Sequence, residues 1–214
     1  MLNNCYSTLM SVTRIVPKIK FRSFNKMLER LGIKFKKRIL QFETGKAISN
    51  FIEEFHHLHP SVNGILFEYL VFAINKFQNL GEEIFEVILN EISESIQISP
   101  DYFRGVSGFS EKKQMIEEIK KISSRYIGDD WKYQYKMCKR SIVGIFDFLT
   151  PDSIVEIKVS KSSFKNIIQL ITYSAINGMR NKLIMINFMD CEIWEIDVEW
   201  DDKTKNNYLD WLLK

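Results

Sequence analysis

Two adjoining apolar runs constrain this chain more than any other feature. They are Ser141-Ile-Val-Gly-Ile-Phe-Asp147-Phe-Leu-Thr150 and, after Pro151-Asp152, Ser153-Ile-Val-Glu156-Ile-Lys158-Val-Ser160. Both have the β-branched and aromatic content of strands, and Thr150-Pro151-Asp152-Ser153 is turn chemistry. Charged residues are scarce in such stretches, yet Asp147, Glu156 and Lys158 sit inside them. If residues 150–153 are the turn, counting outward pairs 149 with 154, 148 with 155 and 147 with 156. Asp147 and Glu156 then face each other across a hairpin, with Cβ atoms about 4.5–5.5 Å apart. Lys158 falls on the same face as Glu156, because side chains alternate along a strand. Carboxylates this close repel, and the pair costs stability unless positive charge lies between them. A divalent cation would supply that charge, with the Lys158 ammonium beside it. A buried Lys158–Glu156 salt bridge is the structural alternative.

The rest of the chain is read around this hairpin. Helical spacing marks Ser23–Leu31, stopped by Gly32, then Thr44 to about His57, Pro60–Phe77, Gly81–Ser93 and Ser110–Ser123. Asp101–Gly108 reads as a loop. Beyond Gly128 the period changes. Trp131–Lys139 alternates as a strand before the hairpin. A helix capped by Ser162 or Ser163 runs to Gly178, and Lys182–Phe188 with Glu192–Val198 makes a second hairpin. Asn207–Leu213 closes as a short helix. The expected order is a helical N-terminal half, then βββ, α, ββ, an α/β (α+β) class of fold.

With 214 residues, 45% of them hydrophobic and 27% charged, the chain suits one globular domain with a helical appendage. No window approaches the roughly 18 apolar residues of a membrane span, so no membrane partner is expected. The net charge of +3 matters less than its distribution. Met1 to Leu28 has no acidic residue but carries Arg14, Lys18, Lys20, Arg22 and Lys26, and Lys34, Lys36, Lys37 and Arg38 extend the run. Residues 1–43 are therefore set apart from residues 44–214. The basic segment reads as a nucleic-acid-contacting arm, as a mitochondrial targeting segment, or as a solvated basic helix surface. Cys5, Cys138 and Cys191 are odd in number and widely spaced, which suits free thiols in a reducing compartment such as cytoplasm or nucleus. His56, His57 and His59 fit a helix end better than a metal site. Thr44-Gly45-Lys46 lacks the upstream glycine of a phosphate-binding loop.

Further polar residues join the set. Glu68 is the only charged side chain between His59 and Lys76, and its helical neighbours Gly64, Ile65, Val71 and Phe72 are apolar. A carboxylate there must be paired, hydrogen-bonded, protonated or metal-bound. Gly64, one turn earlier, would admit close approach of a backbone or ligand. Gln169 and Tyr173 are four apart on the helix after the hairpin and share a face. Lys161 and Lys165, near its start, suit either phosphates or solvent.

Taken together, Gly64-x-x-x-Glu68, Gly144-x-x-Asp147, Glu156-x-Lys158 and Gln169-x-x-x-Tyr173 resemble the PD-(D/E)xK nuclease superfamily, in its RecB-like and lambda-exonuclease-like branch. The resemblance covers roughly residues 60 to 200. The literal Pro151-Asp152 belongs to the turn, and Glu68 stands where several RecB-like relatives have histidine. The resemblance implies a restriction-endonuclease-like core, with a mixed central sheet flanked by helices. It implies Mg²⁺ or Mn²⁺ on Asp147, Glu156, the Ile157 carbonyl and Glu68, with Lys158 assisting the attacking water. Gln169 and Tyr173 would support the site and the nucleic-acid strand. The implied activity is a Mg²⁺-dependent deoxyribonuclease, in exonuclease form, serving DNA repair, recombination or replication. DNA is the expected partner, with RNA open as a substrate, alongside a homo-oligomer or a helper protein. Three scattered cysteines do not suit the iron–sulfur cluster of many relatives. The alternative is a non-catalytic nucleic-acid-binding protein that keeps the same fold.

Overall fold

The structure, a computed structural model, describes residues 10–43, 46–54, 60–77, 90–91, 94, 109–178 and 182–214. Strand β1 (Met10–Ser11) leads into two short helical turns, Val12–Ile15 and Val16–Lys18. Then come α1 (Phe21–Leu31), β2 (Lys34–Gln41), α2 (Lys46–Glu54), α3 (Pro60–Lys76) and α4 (Phe109–Ile127). The second half runs β3 (Lys132–Lys139), β4 (Ile142–Leu149), β5 (Ser153–Lys158), α5 (Phe164–Asn177), β6 (Lys182–Asn187), β7 (Glu192–Glu199) and α6 (Asp202–Leu212). The expected βββ, α, ββ order is present. Residues 55–59, 81–89 and 101–108, with the histidine cluster, most of the Gly81–Ser93 helix and the expected loop, lie outside the described residues, as do Thr44 and Cys5.

The strands form one mixed seven-stranded sheet in the order β1-β4-β5-β6-β7-β2, with β3 on the remaining edge of β4. β5 and β6 run parallel, which requires a crossover, and α5 supplies it. Helices cover both faces. On one side α2, α3 and α4 bury Ile48, Leu66, Leu70, Ile74, Met115 and Ile119 against Phe148, Val155, Ile157, Ile184 and Ile186. On the other, α1, α5 and α6 bury Phe24, Leu28, Leu170, Ile171, Tyr208 and Leu209 against Ile154, Leu183, Met185 and Ile196. Among the described residues no helix is long and apolar enough to cross a membrane.

The N-terminal region is not purely helical. Lys34–Gln41 is a strand paired antiparallel with β7 from Lys34↔Glu199 to Gln41↔Glu192. Its alternation is carried by charge: Lys34, Lys36 and Arg38 are exposed, while Phe35 and Lys37 between them are half-buried. Lysines on an edge strand discourage pairing with other chains. α4 is longer than the Ser110–Ser123 expectation, and α6 begins at Asp202 rather than Asn207 because Asp201 caps it, accepting from Thr204 N at 2.7 Å.

Candidate active site

The expected turn is present: Thr150 N donates to the Ser153 carbonyl at 3.0 Å, and Thr150 Oγ1 lies 3.0 Å from Ser153 Oγ. Its register, Leu149↔Ile154 and Phe148↔Val155, is the one counted from the sequence. The ladder then stops. Asp147 and Glu156, next in register, are not a backbone pair; Asp147 Oδ2 instead accepts the Ile157 N–H at 2.8 Å. The carboxylate has taken the place of a strand carbonyl.

The other edge of β4 lapses at the same residue. β3 pairs with β4 at Tyr133↔Phe148 and Tyr135↔Phe146, but Gln134, which faces Asp147, drops out of the ladder. Its backbone is left-handed, at φ 44°, a conformation uncommon for a residue without a short polar side chain. Both strands change face here. Tyr135 and Phe146 pack in the core under α5, whereas Tyr133 and Phe148, two residues away along each strand, pack in the core under α3. The strands roll over at Asp147, and β4 and β5 part into a fork.

Three carboxylates and one ammonium meet electrostatically at this fork. Glu156 and Lys158 project from β5 and form an ion pair, the glutamate side chain 3% exposed and the lysine 21%. This is the salt bridge that the sequence offers as an alternative to a metal. Gln169 Nε2, from α5, donates to Glu156 Oε1 at 2.6 Å and lies 2.9 Å from the Tyr173 hydroxyl. The i,i+4 pair on α5 is thereby joined to β5. Glu68, on α3, is half-buried and accepts from Gln134 Nε2 at 3.1 Å.

Burial drives the ionisation behaviour. Asp147 is pushed well above the ordinary carboxylate range, first by desolvation and then by the charges of Glu156 and Glu68. Glu68 is raised by desolvation, with the Gln134 hydrogen bond working in the opposite direction. Burial pulls Lys158 down, but Glu156 and Asp147 outweigh it and hold the ammonium above its usual value. Tyr173 is raised well above the usual phenol value by desolvation and by Glu156, so it stays neutral, its hydroxyl accepting from Gln169 Nε2.

Gly144 permits this arrangement. A Cβ there would lie 3.0 Å from Phe146 and 3.1 Å from both Ile176 and Tyr173, so α5 approaches β4 where a side chain would push Tyr173 away. Gly64 does not act in this way: nothing lies within 4 Å of where its Cβ would stand. Lys161 is exposed on the β5–α5 loop. Lys165 Nζ donates to the Pro17 carbonyl at 3.0 Å and so ties α5 to the N-terminal segment. Sequence reasoning missed Asn187, which faces Lys158 on β6 and is fully buried. Its amide nitrogen donates to the Ser160 carbonyl at 2.8 Å, to Ser162 Oγ at 2.8 Å and to Asp190 Oδ2 at 3.0 Å, fixing the loop after Lys158. It also missed Gln134, which reads as one more outward polar residue of an alternating strand.

As the side chains lie, no three His, Cys, Asp or Glu among the described residues stand close enough to hold a metal ion. Glu68 is turned to Gln134, Asp147 to Ile157 N–H and Glu156 to Lys158 and Gln169. The donor chemistry nonetheless suits a hard cation. Glu156 Oε2 is buried with no hydrogen-bond partner, the acidic groups outnumber the one ammonium, and every donor atom is oxygen. A comparison of the chain with protein-family profiles and with curated proteins finds no match in either.

Proposed function

We propose that this chain is a metal-dependent nuclease of the PD-(D/E)xK superfamily, with a restriction-endonuclease-like core, that hydrolyses phosphodiester bonds of DNA. The observation that carries the reading is the junction of Asp147, Glu156, Lys158, Gln169 and Tyr173 at a broken ladder, with the Glu156 Oε2 lone pairs buried and unused. A binding module has little use for clustered carboxylates where phosphates must approach.

Asp147, Glu156 and the Ile157 carbonyl would hold Mg²⁺ or Mn²⁺, with Glu68 completing the set after leaving Gln134. The bound ion would supply Lewis-acid chemistry, lowering the pKa of a water and neutralising phosphate charge. Lys158, kept protonated by its acidic neighbours, donates a hydrogen bond that orients the attacking water and stabilises charge on the phosphate. Gln169 holds one oxygen of Glu156 and passes the constraint to Tyr173. The product carries a 5′-phosphate by the same resemblance. An exonuclease in repair, recombination or replication is the reading, with a homo-oligomer or helper protein enforcing the need for an end.

The test is cleavage of linear and circular DNA in Mg²⁺, Mn²⁺ or EDTA, comparing wild type with Lys158→Ala and Asp147→Ala, each checked for folding. Metal-dependent loss of linear DNA alone, absent in both variants, is the expected result. Cutting of circles keeps the site and makes the enzyme an endonuclease. Undiminished activity in either folded variant removes the site. Should no metal elicit cleavage of DNA or RNA, the ion pair between Lys158 and Glu156 is structural and the binding-module reading replaces this one.

A further inference from the structure

The basic segment of the N-terminus divides in two. Lys36 pairs with Glu199 at 3.6 Å and Lys37 lies 3.1 Å over the Trp194 ring, so β2 spends cations within the sheet. Arg14, Lys18, Lys20, Lys26 and Arg30 are exposed and make no ion pair with a described residue. They line two contiguous cavities between the N-terminal segment, α1 and the end of α6. One, of about 880 Å³, has Arg14, Lys18 and Lys20 in its wall with no acidic residue among the described ones; the other, of about 530 Å³, has Lys26 and Arg30. Ser23, Trp211 and Lys214 belong to both walls, so the two cavities adjoin. Asp210, the one acid among the described lining residues, is already paired with Arg140. The segment Met10–Lys20, α1 and the end of α6 thus build a concave cationic trough that includes the Trp211 ring.

The trough also points somewhere. Pro17, beside Lys18, accepts the Lys165 ammonium, and Phe21 meets Phe164 edge-on at 5.3 Å between ring centroids. Lys165 lies one helical turn, about 6 Å, from Gln169 along α5, and Gln169 holds Glu156. Contacts thus link the carboxylate fork, through Gln169, α5 and Lys165, to the segment that carries Lys18.

We propose that this trough is a second nucleic-acid-binding site, which takes the sugar–phosphate backbone of the strand leading away from the Asp147–Glu156 fork, with Trp211 offering its ring to the bases. Phosphate neutralisation by clustered cations is the main source of such binding, and an aromatic ring among them suits a single strand. The cationic trough stands independently of the nuclease reading; only the direction of the strand rests on it.

The experiment is fluorescence anisotropy of the full chain with a labelled single-stranded oligonucleotide in EDTA, over a range of salt concentrations. It compares wild type, Arg14→Ala/Lys18→Ala/Lys20→Ala, and a control triple of exposed lysines elsewhere, Lys113→Ala/Lys182→Ala/Lys203→Ala. The trough triple is expected to bind several-fold more weakly, with a plot of log affinity against log salt shallower by about 2, or about 0.7 per lost phosphate contact. The control triple should keep the wild-type slope. Equal slopes for wild type and the trough triple overturn the proposal, as does wild-type protein that binds vesicles of anionic lipid but no oligonucleotide. Since EDTA prevents metal-dependent cleavage, a wild type that shows the expected slopes yet never cuts DNA with Mg²⁺ or Mn²⁺ would sustain the trough and remove the nuclease reading.

Discussion

From β5 outward the sheet is laddered without a break. Ser153–Lys158 pairs residue by residue with Lys182–Asn187, that strand pairs with β7, and β7 pairs with the full length of Lys34–Gln41. In the other direction, both ladders of β4 fail at Asp147: Gln134 leaves one and Glu156 leaves the other. Along β5 and β6 the continuous half sends its buried apolar side chains alternately into the two cores. The interrupted half changes face within two residues, and all three carboxylates of the candidate site gather there. A broken ladder frees backbone and side-chain oxygens together, which a regular sheet does not do. The continuous half keeps them at a fixed distance, since the Asn187 amide opposite Lys158 pins the following loop.

The largest effect is expected where the core of the regular half is emptied. Ile196 on β7 is fully buried in the α5-side core. Ile196→Ala removes its contacts and should cost about 2–5 kcal/mol. For a chain of this size each kcal/mol lowers Tm by about 2–4 °C. Cleavage by the fraction that remains folded should be unchanged per molecule, because the residue sits on β7, paired with Leu183 and Lys37 and separated from β4 by β5 and β6. Denaturation with cleavage assayed below the transition checks both; a specific activity that falls with the mutation would show that the two halves are not separate.

The interrupted half should respond in the opposite sense. Asp147 carries a folded-state pKa above its unfolded value, so the native chain binds more protons than the unfolded one. Stability of the metal-free protein must then fall as pH rises from the ordinary carboxylate range towards the folded value. Asp147→Asn retains an acceptor for the Ile157 N–H and deletes the charge. It should abolish cleavage, raise Tm in EDTA at neutral pH, and lose its advantage over wild type as the pH is lowered. Mg²⁺ should raise the wild-type Tm and leave the variant unmoved. A variant less stable than wild type at neutral pH in EDTA would show that the buried charge is already compensated.

The sequence exposed the two halves unequally. The register of the hairpin, the Ser163 and Gly178 ends of α5, and the shared face of Gln169 and Tyr173 follow from local rules: turn composition, capping, and a 3.6-residue period. Counting from the turn failed one step later because it assumes an unbroken ladder, and nothing in Asp147 itself announces that its side chain replaces a carbonyl. β2 was hidden because charge rather than apolarity carries its alternation, as suits an edge strand. Asn187 and Gln134 were illegible for a common reason. Their roles depend on residues that are distant in sequence, Ser160 and Ser162 for one and Glu68 for the other.

Gln134 shows the difference between the two halves at its smallest scale. Its left-handed backbone lies opposite Asp147, and its amide holds Glu68 away from the other carboxylates. A residue with a Cβ in that region costs roughly 1–3 kcal/mol unless its side chain recovers it. Gln134→Ala and Gln134→Gly both lose the bond to Glu68, and only glycine removes the backbone cost. Glycine should therefore be the more stable of the two by about 1 kcal/mol, a difference read from urea midpoints at equal slope. The comparison cancels the hydrogen bond and isolates the backbone. If alanine matches or exceeds glycine, the roll of the strands at Asp147 is unstrained and the lapse in the ladder follows from Asp147 and Ile157 alone. If glycine leads, the fork is held open partly by an unfavourable backbone in β3, a cost that a regular strand at this position would not carry.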